Sequence, residues 1–185
     1  MDKLFGLPAH PLLVHIPVVL VPLAAIGALA MAFWPWLRAR IGWIVAGLAV
    51  LGGVGALLAA SAGESLQESR PENAAIRHHA ELGDTAKMWS IIFAILVLAF
   101  VVGEWWLKRR TSRNTAHESA PMTWTKWAVP AVAVLTVASG AWATYSVMDA
   151  GHTGAKSTWQ QKAESGDRSN YSPNGDAGYQ GDDDD

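Results

Sequence analysis

The sequence predicts an all-α protein, an integral membrane bundle of four antiparallel helices. Apolar residues are 51% of the 185-residue chain and gather into four long runs, about 11–37, 41–62, 88–107 and 127–148. Each run reaches the roughly 20 residues that a helix rising about 1.5 Å per residue needs to cross a hydrocarbon core of about 30 Å. Only Glu104 carries a charge inside any of them. The runs are continuously apolar, whereas a membrane-spanning strand needs about ten residues of alternating polarity, so helices are expected. A net charge of −2 argues against a nucleic-acid binder built on a basic surface.

The first helix is expected to begin at His10-Pro11, because proline suits the first helical position, where its missing N–H costs nothing. Pro17 and Pro22 lie deeper and are expected to kink the helix. The run is too long for the core of a secretion signal and no small-residue cleavage site follows, so it reads as retained. The second helix carries Gly52, Ala56 and Ala60 on one stripe beside Ala49 and Gly53, and the fourth carries Thr136, Gly140 and Thr144. Such spacing lets backbones approach closely; room for a flat macrocycle is the other reading. Before the third helix, IRHHAELG reads as a short amphipathic helix, with Gly83-Asp84 as its stop and the next cap. His79 and Gly83 are four residues apart and share a face. After the fourth helix, DAGHTGAKSTW has the look of a phosphate loop, but Ala155 stands where a glycine should precede the lysine and no strand leads into it. Residues 1–160 form the membrane domain on this reading. Residues 161–185 are polar and acidic, and are expected to be disordered.

Arg38 and Arg40 follow the first run, while Lys108, Arg109, Arg110, Arg113 and Lys126 follow the third, so these links are expected on the cytoplasmic side. Trp34, Trp36, Trp43, Trp105, Trp106, Trp124 and Trp127 collect at the same level, as an interfacial belt would. Both termini then face outward across the cell inner (plasma) membrane. Five of the six histidines, His10, His15, His78, His79 and His152, fall on that outer side, and His117 alone lies in the basic loop. The chain has no cysteine, so thiolate metal sites, iron–sulfur clusters and covalently attached haem are excluded.

Imidazole binds metals through either ring nitrogen and is costly in a membrane unless partnered. Three readings of the cluster stay open on residue chemistry: axial ligation of a b-type haem, a zinc or copper site, and structural capping of helix ends. No nucleophile–base pair, paired carboxylates or dinucleotide fingerprint is present to mark a catalytic residue.

The segments GLPAHPLLVHIP, HAELG and GHTGAKSTW, with the four-helix layout, resemble the bacterial membrane family called domain of unknown function 2231, over about residues 4–160. His10, Pro11, Val14, His15 and Pro17 match its His-Pro-x-x-Val-His-x-Pro pattern, and Gly151, His152 and Gly154 match its Gly-His-x-Gly element. The resemblance implies the membrane fold and, through members suggested to bind haem or joined to cytochrome domains, a redox role. Gly154-Ala155-Lys156 departs from the Gly-Gly-apolar ending expected there, which weakens the inference for His152 more than for His15. The reading that follows is a haem b electron-transfer component near the outer face, with His15 and His79 as metal ligands. His10 and His152 are further cofactor-binding residues, and Lys156 or Arg77 would neutralise propionates. Expected partners are the lipid bilayer, a quinol or an oxidoreductase partner subunit, and a second copy of the chain in a homodimer. The alternative is a cofactor-free membrane anchor or assembly subunit.

Overall fold

A computed structural model describes residues 3–4, 7–68, 74–113 and 125–170, with side chains described for 10–65, 74, 76–110 and 127–156. A two-residue hairpin opens the chain, β1 (Lys3–Leu4) against β2 (Leu7–Pro8), pairing Lys3 with Pro8 and Leu4 with Leu7. Leu7 is extended because a following proline disfavours helical backbone. Four helices follow: α1 (Ala9–Phe33), α2 (Pro35–Glu68), α3 (Ala74–Arg113) and α4 (Thr125–Asn170). Each contains an apolar stretch long enough to cross a membrane. Helices satisfy every backbone group internally, which hydrocarbon demands. The all-α membrane bundle read from the sequence is the observed fold.

The helix limits differ from those expected, for local reasons. The first turn-around is not at residues 38–40 but at Trp34, the single residue between α1 and α2. Pro35 pushes Trp34 out of helical backbone and then opens α2, while the Trp34 carbonyl accepts from the amides of Leu37 and Arg38, both at 3.1 Å. Arg38 therefore lies in a helix rather than a loop. The second correction concerns Gly83, where no stop occurs: α3 runs through it in ordinary helical conformation, so IRHHAELG is the start of α3 itself. The third concerns the tail, where α4 continues through residues 161–170, expected to be disordered. Ala163 and Glu164 are good helix formers, and Gln160, Gln161 and Lys162 beside them are too. The rest of the acidic tail, residues 171–185, lies outside the described residues, as do His117 and Trp124.

The helices form a ring in which each packs along its chain neighbours and α4 closes on α1, while the diagonal pairs scarcely meet. Small residues set the approach. A Cβ on Gly27 would lie 2.7 Å from Val45, one on Gly52 2.9 Å from Val21, and one on Gly55 would overlap Ile16, bringing α1 onto α2. A Cβ on Gly140 would meet Phe93 at 2.7 Å, bringing α4 onto α3. Gly52 and Gly140 are thus filled by neighbouring side chains, and the close-packing reading of the two stripes holds at these positions. Phe93, Met31, Val21 and Val97 are wholly buried with Ser90 and Thr136. The two hydroxyls donate to Ala86 and Val132 of their own helices, each at 2.7 Å, so neither hydroxyl is stranded by the packing.

The basic end carries a buried ion pair that the sequence reading missed. Arg38 Nη1 of α2 stands 2.8 Å from Glu104 Oε1 of α3, with side chains only 8% and 19% exposed. The guanidinium also lies over Phe100, 4.8 Å from the ring centre. Nη1 and Nε of Arg38 have no aligned hydrogen bond among the described residues, so attraction between charges holds the pair. Around it, Arg109 and Arg110 lie over Trp105 and Trp106 at 4.1 and 3.6 Å. The six described tryptophans of the expected belt, Trp34, Trp36, Trp43, Trp105, Trp106 and Trp127, are all exposed.

Removing one partner of a buried pair strands a charge, at a cost of about 3–5 kcal/mol, whereas replacing both with apolar side chains is often neutral. Glu104→Gln is therefore expected to lower resistance to detergent-driven unfolding by that order, and Arg38→Met/Glu104→Leu to recover most of it. Gly140→Ala is expected to destabilise by about 1–3 kcal/mol through overpacking. Gly83→Ala meets nothing within 4 Å and should stabilise by up to about 1 kcal/mol in the same assay.

Candidate functional site

The end of the bundle opposite the ion pair is closed by two imidazoles. His10 lies in the first turn of α1, placed there by Pro11. Its Nδ1 is 2.8 Å from the Ala59 carbonyl of α2. A carbonyl only accepts, so Nδ1 carries a proton and donates. One turn along α2, Gly63 lets the ring lie against the backbone, since a Cβ there would be 3.1 Å from Nδ1 and Cε1 of His10.

His79, on α3, mirrors this against α4. Its Nδ1 is 3.4 Å from Thr153 Oγ1, a long contact. Thr153 donates its own proton to the carbonyls of Asp149 and Ala150, both at 3.0 Å, so toward His79 it accepts. His79 accordingly faces it as the donor from Nδ1. A Cβ on Gly154 would stand 2.8 Å from His79 Cε1. The two ring centres are 6.1 Å apart and nearly perpendicular, at 84°. His10 and His79 come from helices on one diagonal of the ring, and their partners from the other, so all four helices contribute.

The other expected site residues are not brought to this pair. His15 is exposed, and its Nδ1 bonds the Pro11 carbonyl of its own helix at 2.7 Å. Five residues separate it from His10, about 140° around a helix, so the two rings leave α1 on different faces. His152 and His78 are exposed, each one residue from an inward-facing neighbour, and Arg77 and Lys156 are exposed as well. Among the described residues no three His, Asp or Glu side chains are placed to hold one metal ion. Lys87 links α3 to α2 beside the pair, 2.7 Å from Asp84 and 3.7 Å from Glu64.

Sequence reasoning therefore recognised His10 and His79 but missed Ala59, Gly63 and Thr153. The signal for Thr153 was within the Gly151-His152-Thr153-Gly154 element, whose contacts to His79 come from its last two residues and not from its histidine. The arrangement brings two imidazoles from diagonal helices together, each with an oxygen partner at Nδ1.

The chain has no cysteine, which makes a thiol test clean. His10→Cys/His79→Cys is expected to be bridged by dibromobimane with a rise in fluorescence, and His15→Cys/His79→Cys is not. Bridging of the second pair alone would contradict the geometry.

Comparison with curated proteins and with solved structures gives no match. A family model does match, over residues 6–165, and spans everything from the strand before α1 to well past the Gly-His-x-Gly element. The family is described as "Predicted membrane protein", in keeping with the four apolar helices. By that match, the chain belongs to the DUF2231 family of predicted membrane proteins.

Proposed function

We propose that the protein is a b-type haem-binding electron-transfer component of the plasma membrane, with His10 and His79 as the axial ligands. The observation that carries this reading is the paired imidazoles at 6.1 Å with both Nδ1 atoms occupied by oxygen partners. Two rings bound to one metal at about 2 Å each have centres about 6 Å apart, so the spacing fits a shared ion. A structural zinc takes four protein ligands, whereas haem iron takes four nitrogens from the macrocycle and asks two of the protein. A histidine pair with no third ligand converging on it fits the second case. Bound haem would supply a reversible one-electron couple.

The chain's own part is to hold and insulate. The Ala59 carbonyl and the Thr153 hydroxyl hold each imidazole in its orientation. Gly63 and Gly154 keep each ring free to seat against its supporting helix. Exposed Arg77 and Lys156 lie toward the same end of α3 and α4, and are the cations we assign to the propionates. The arginines and lysine of the opposite end support an orientation with the histidine end outward. An outward site suits exchange of electrons with a quinol, or with an oxidoreductase subunit, and an acceptor outside the cell.

A reduced-minus-oxidised visible spectrum of the protein purified in detergent tests this. A Soret band with a sharp reduced α band is expected, with haem lost or its spectrum converted in His10→Ala and in His79→Ala and unchanged in His15→Ala. Gly154→Val, which drives a side chain into the His79 ring, is expected to alter the spectrum while leaving the gel-filtration profile intact. A colourless wild-type protein after haem reconstitution sinks the proposal and leaves the cofactor-free membrane anchor.

A further inference from the structure

The stretch EWWLKRR of α3, residues 104–110, pairs its side chains one helical turn apart. Glu104 meets Lys108 at 3.6 Å, and the guanidiniums of Arg109 and Arg110 lie over Trp105 and Trp106, 4.1 and 3.6 Å from the ring centres. The start of α2 repeats the arrangement, with Arg40 over Trp36 at 5.3 Å. The described cationic side chains at this end divide into two kinds. Arg38 and Lys108 both reach the carboxylate of Glu104. Arg40, Arg109 and Arg110 have no carboxylate, carbonyl or hydroxyl partner among the described residues, and these are the ones that lie on tryptophan.

Tryptophans ordinarily collect at a membrane boundary, so the rings alone mark nothing. Their pairing with arginine does. A guanidinium on an indole uses its flat face for the ring and keeps its edge, with five N–H donors, for an acceptor. The ring also restrains the long side chain, so less rotational freedom is lost when an acceptor binds. All three arginines are exposed, as are the rings beneath them. Because Glu104 is matched by Arg38 and Lys108, no acid among the described residues offsets the three stacked charges. What stands beside an outward side chain at the end of a membrane span is a lipid head group, and charge selects which kind.

We infer that Arg40, Arg109 and Arg110, seated on their tryptophans, form a phosphate-binding rim for anionic phospholipids. A phosphodiester accepts paired N–H bonds from a guanidinium edge, in a geometry that an ammonium cannot offer. A head group without an ammonium gains this contact unopposed, whereas a zwitterionic one brings its own cation against three others. The rim is at the opposite end of the bundle from the histidine pair and needs no metal.

Native mass spectrometry of the detergent-solubilised protein, titrated in parallel with dioleoyl phosphatidylglycerol and dioleoyl phosphatidylcholine, tests the inference. Adducts of the first lipid are expected at concentrations where the second gives few. Arg109→Gln/Arg110→Gln should weaken that preference by about fivefold for each arginine removed. Arg109→Lys/Arg110→Lys keeps the charge and the fold but loses the flat fork, and should still weaken it by about threefold. Trp105→Leu/Trp106→Leu, which keeps both arginines, should weaken it as well. Lys87→Gln, which removes a cation at the other end, should leave it intact. His79→Ala should leave it intact too, so failure of the haem reading and failure of this one are separable. Equal uptake of the two lipids overturns the inference. So does a preference that survives both arginine variants, that Lys87→Gln lowers as much as they do, or that soluble glycerol phosphate at equal concentration abolishes.

Discussion

Hydrocarbon gives apolar helices no reason to associate, since a leucine against lipid is as well placed as a leucine against leucine. What holds this bundle is close approach, and close approach depends on missing side chains. Gly52 and Gly55 admit Val21 and Ile16, and Gly140 admits Phe93, so dispersion contacts between backbone and side chain replace the drive that water would supply. The interior hydroxyls of Ser90, Thr136 and Ser139 bond back to their own helices, leaving van der Waals contact to specify the neighbours. Register between helices then follows from where the glycines are, and register decides what meets at each end.

The two ends use polar groups in opposite ways. At the basic end Arg38 and Glu104 bring full charges between α2 and α3, where low dielectric strengthens their attraction and makes either one alone expensive. At the histidine end His10 and His79 meet across the diagonal that the rest of the bundle leaves almost without contact. Imidazoles placed there need hydrogen-bond partners, and a helix carbonyl and a threonine provide them. The pair is thereby held in one orientation by partners from the two remaining helices.

Much of the site was legible as residue types and little of it as partnership. His10 and His79 stood out because imidazoles at the mouths of apolar runs are rare and costly. Residue type alone does not separate His15 from His10: both share one end of α1, but helical rotation turns His15 away and His10 inward. Likewise Arg38 reads as a loop cation until Pro35 is seen to begin a helix at once, which carries the guanidinium inward to Glu104.

By itself the sequence determined the number of helices, their alternating direction and the end of the bundle at which His10, His15, His78, His79 and His152 fall. These follow from the length of apolar runs and the absence of charge, properties that solvent transfer reads one residue at a time. Tertiary structure decided which imidazoles meet, that Thr153 and Gly154 rather than His152 attend His79, and that Trp142 and Tyr145 stack on the outside of the bundle. Those depend on rotation about each helix axis, set by glycine contacts between segments far apart in the chain. A shift of one residue, about 100° of turn, would carry His10 or His79 off the inward face and bring a different set of side chains there.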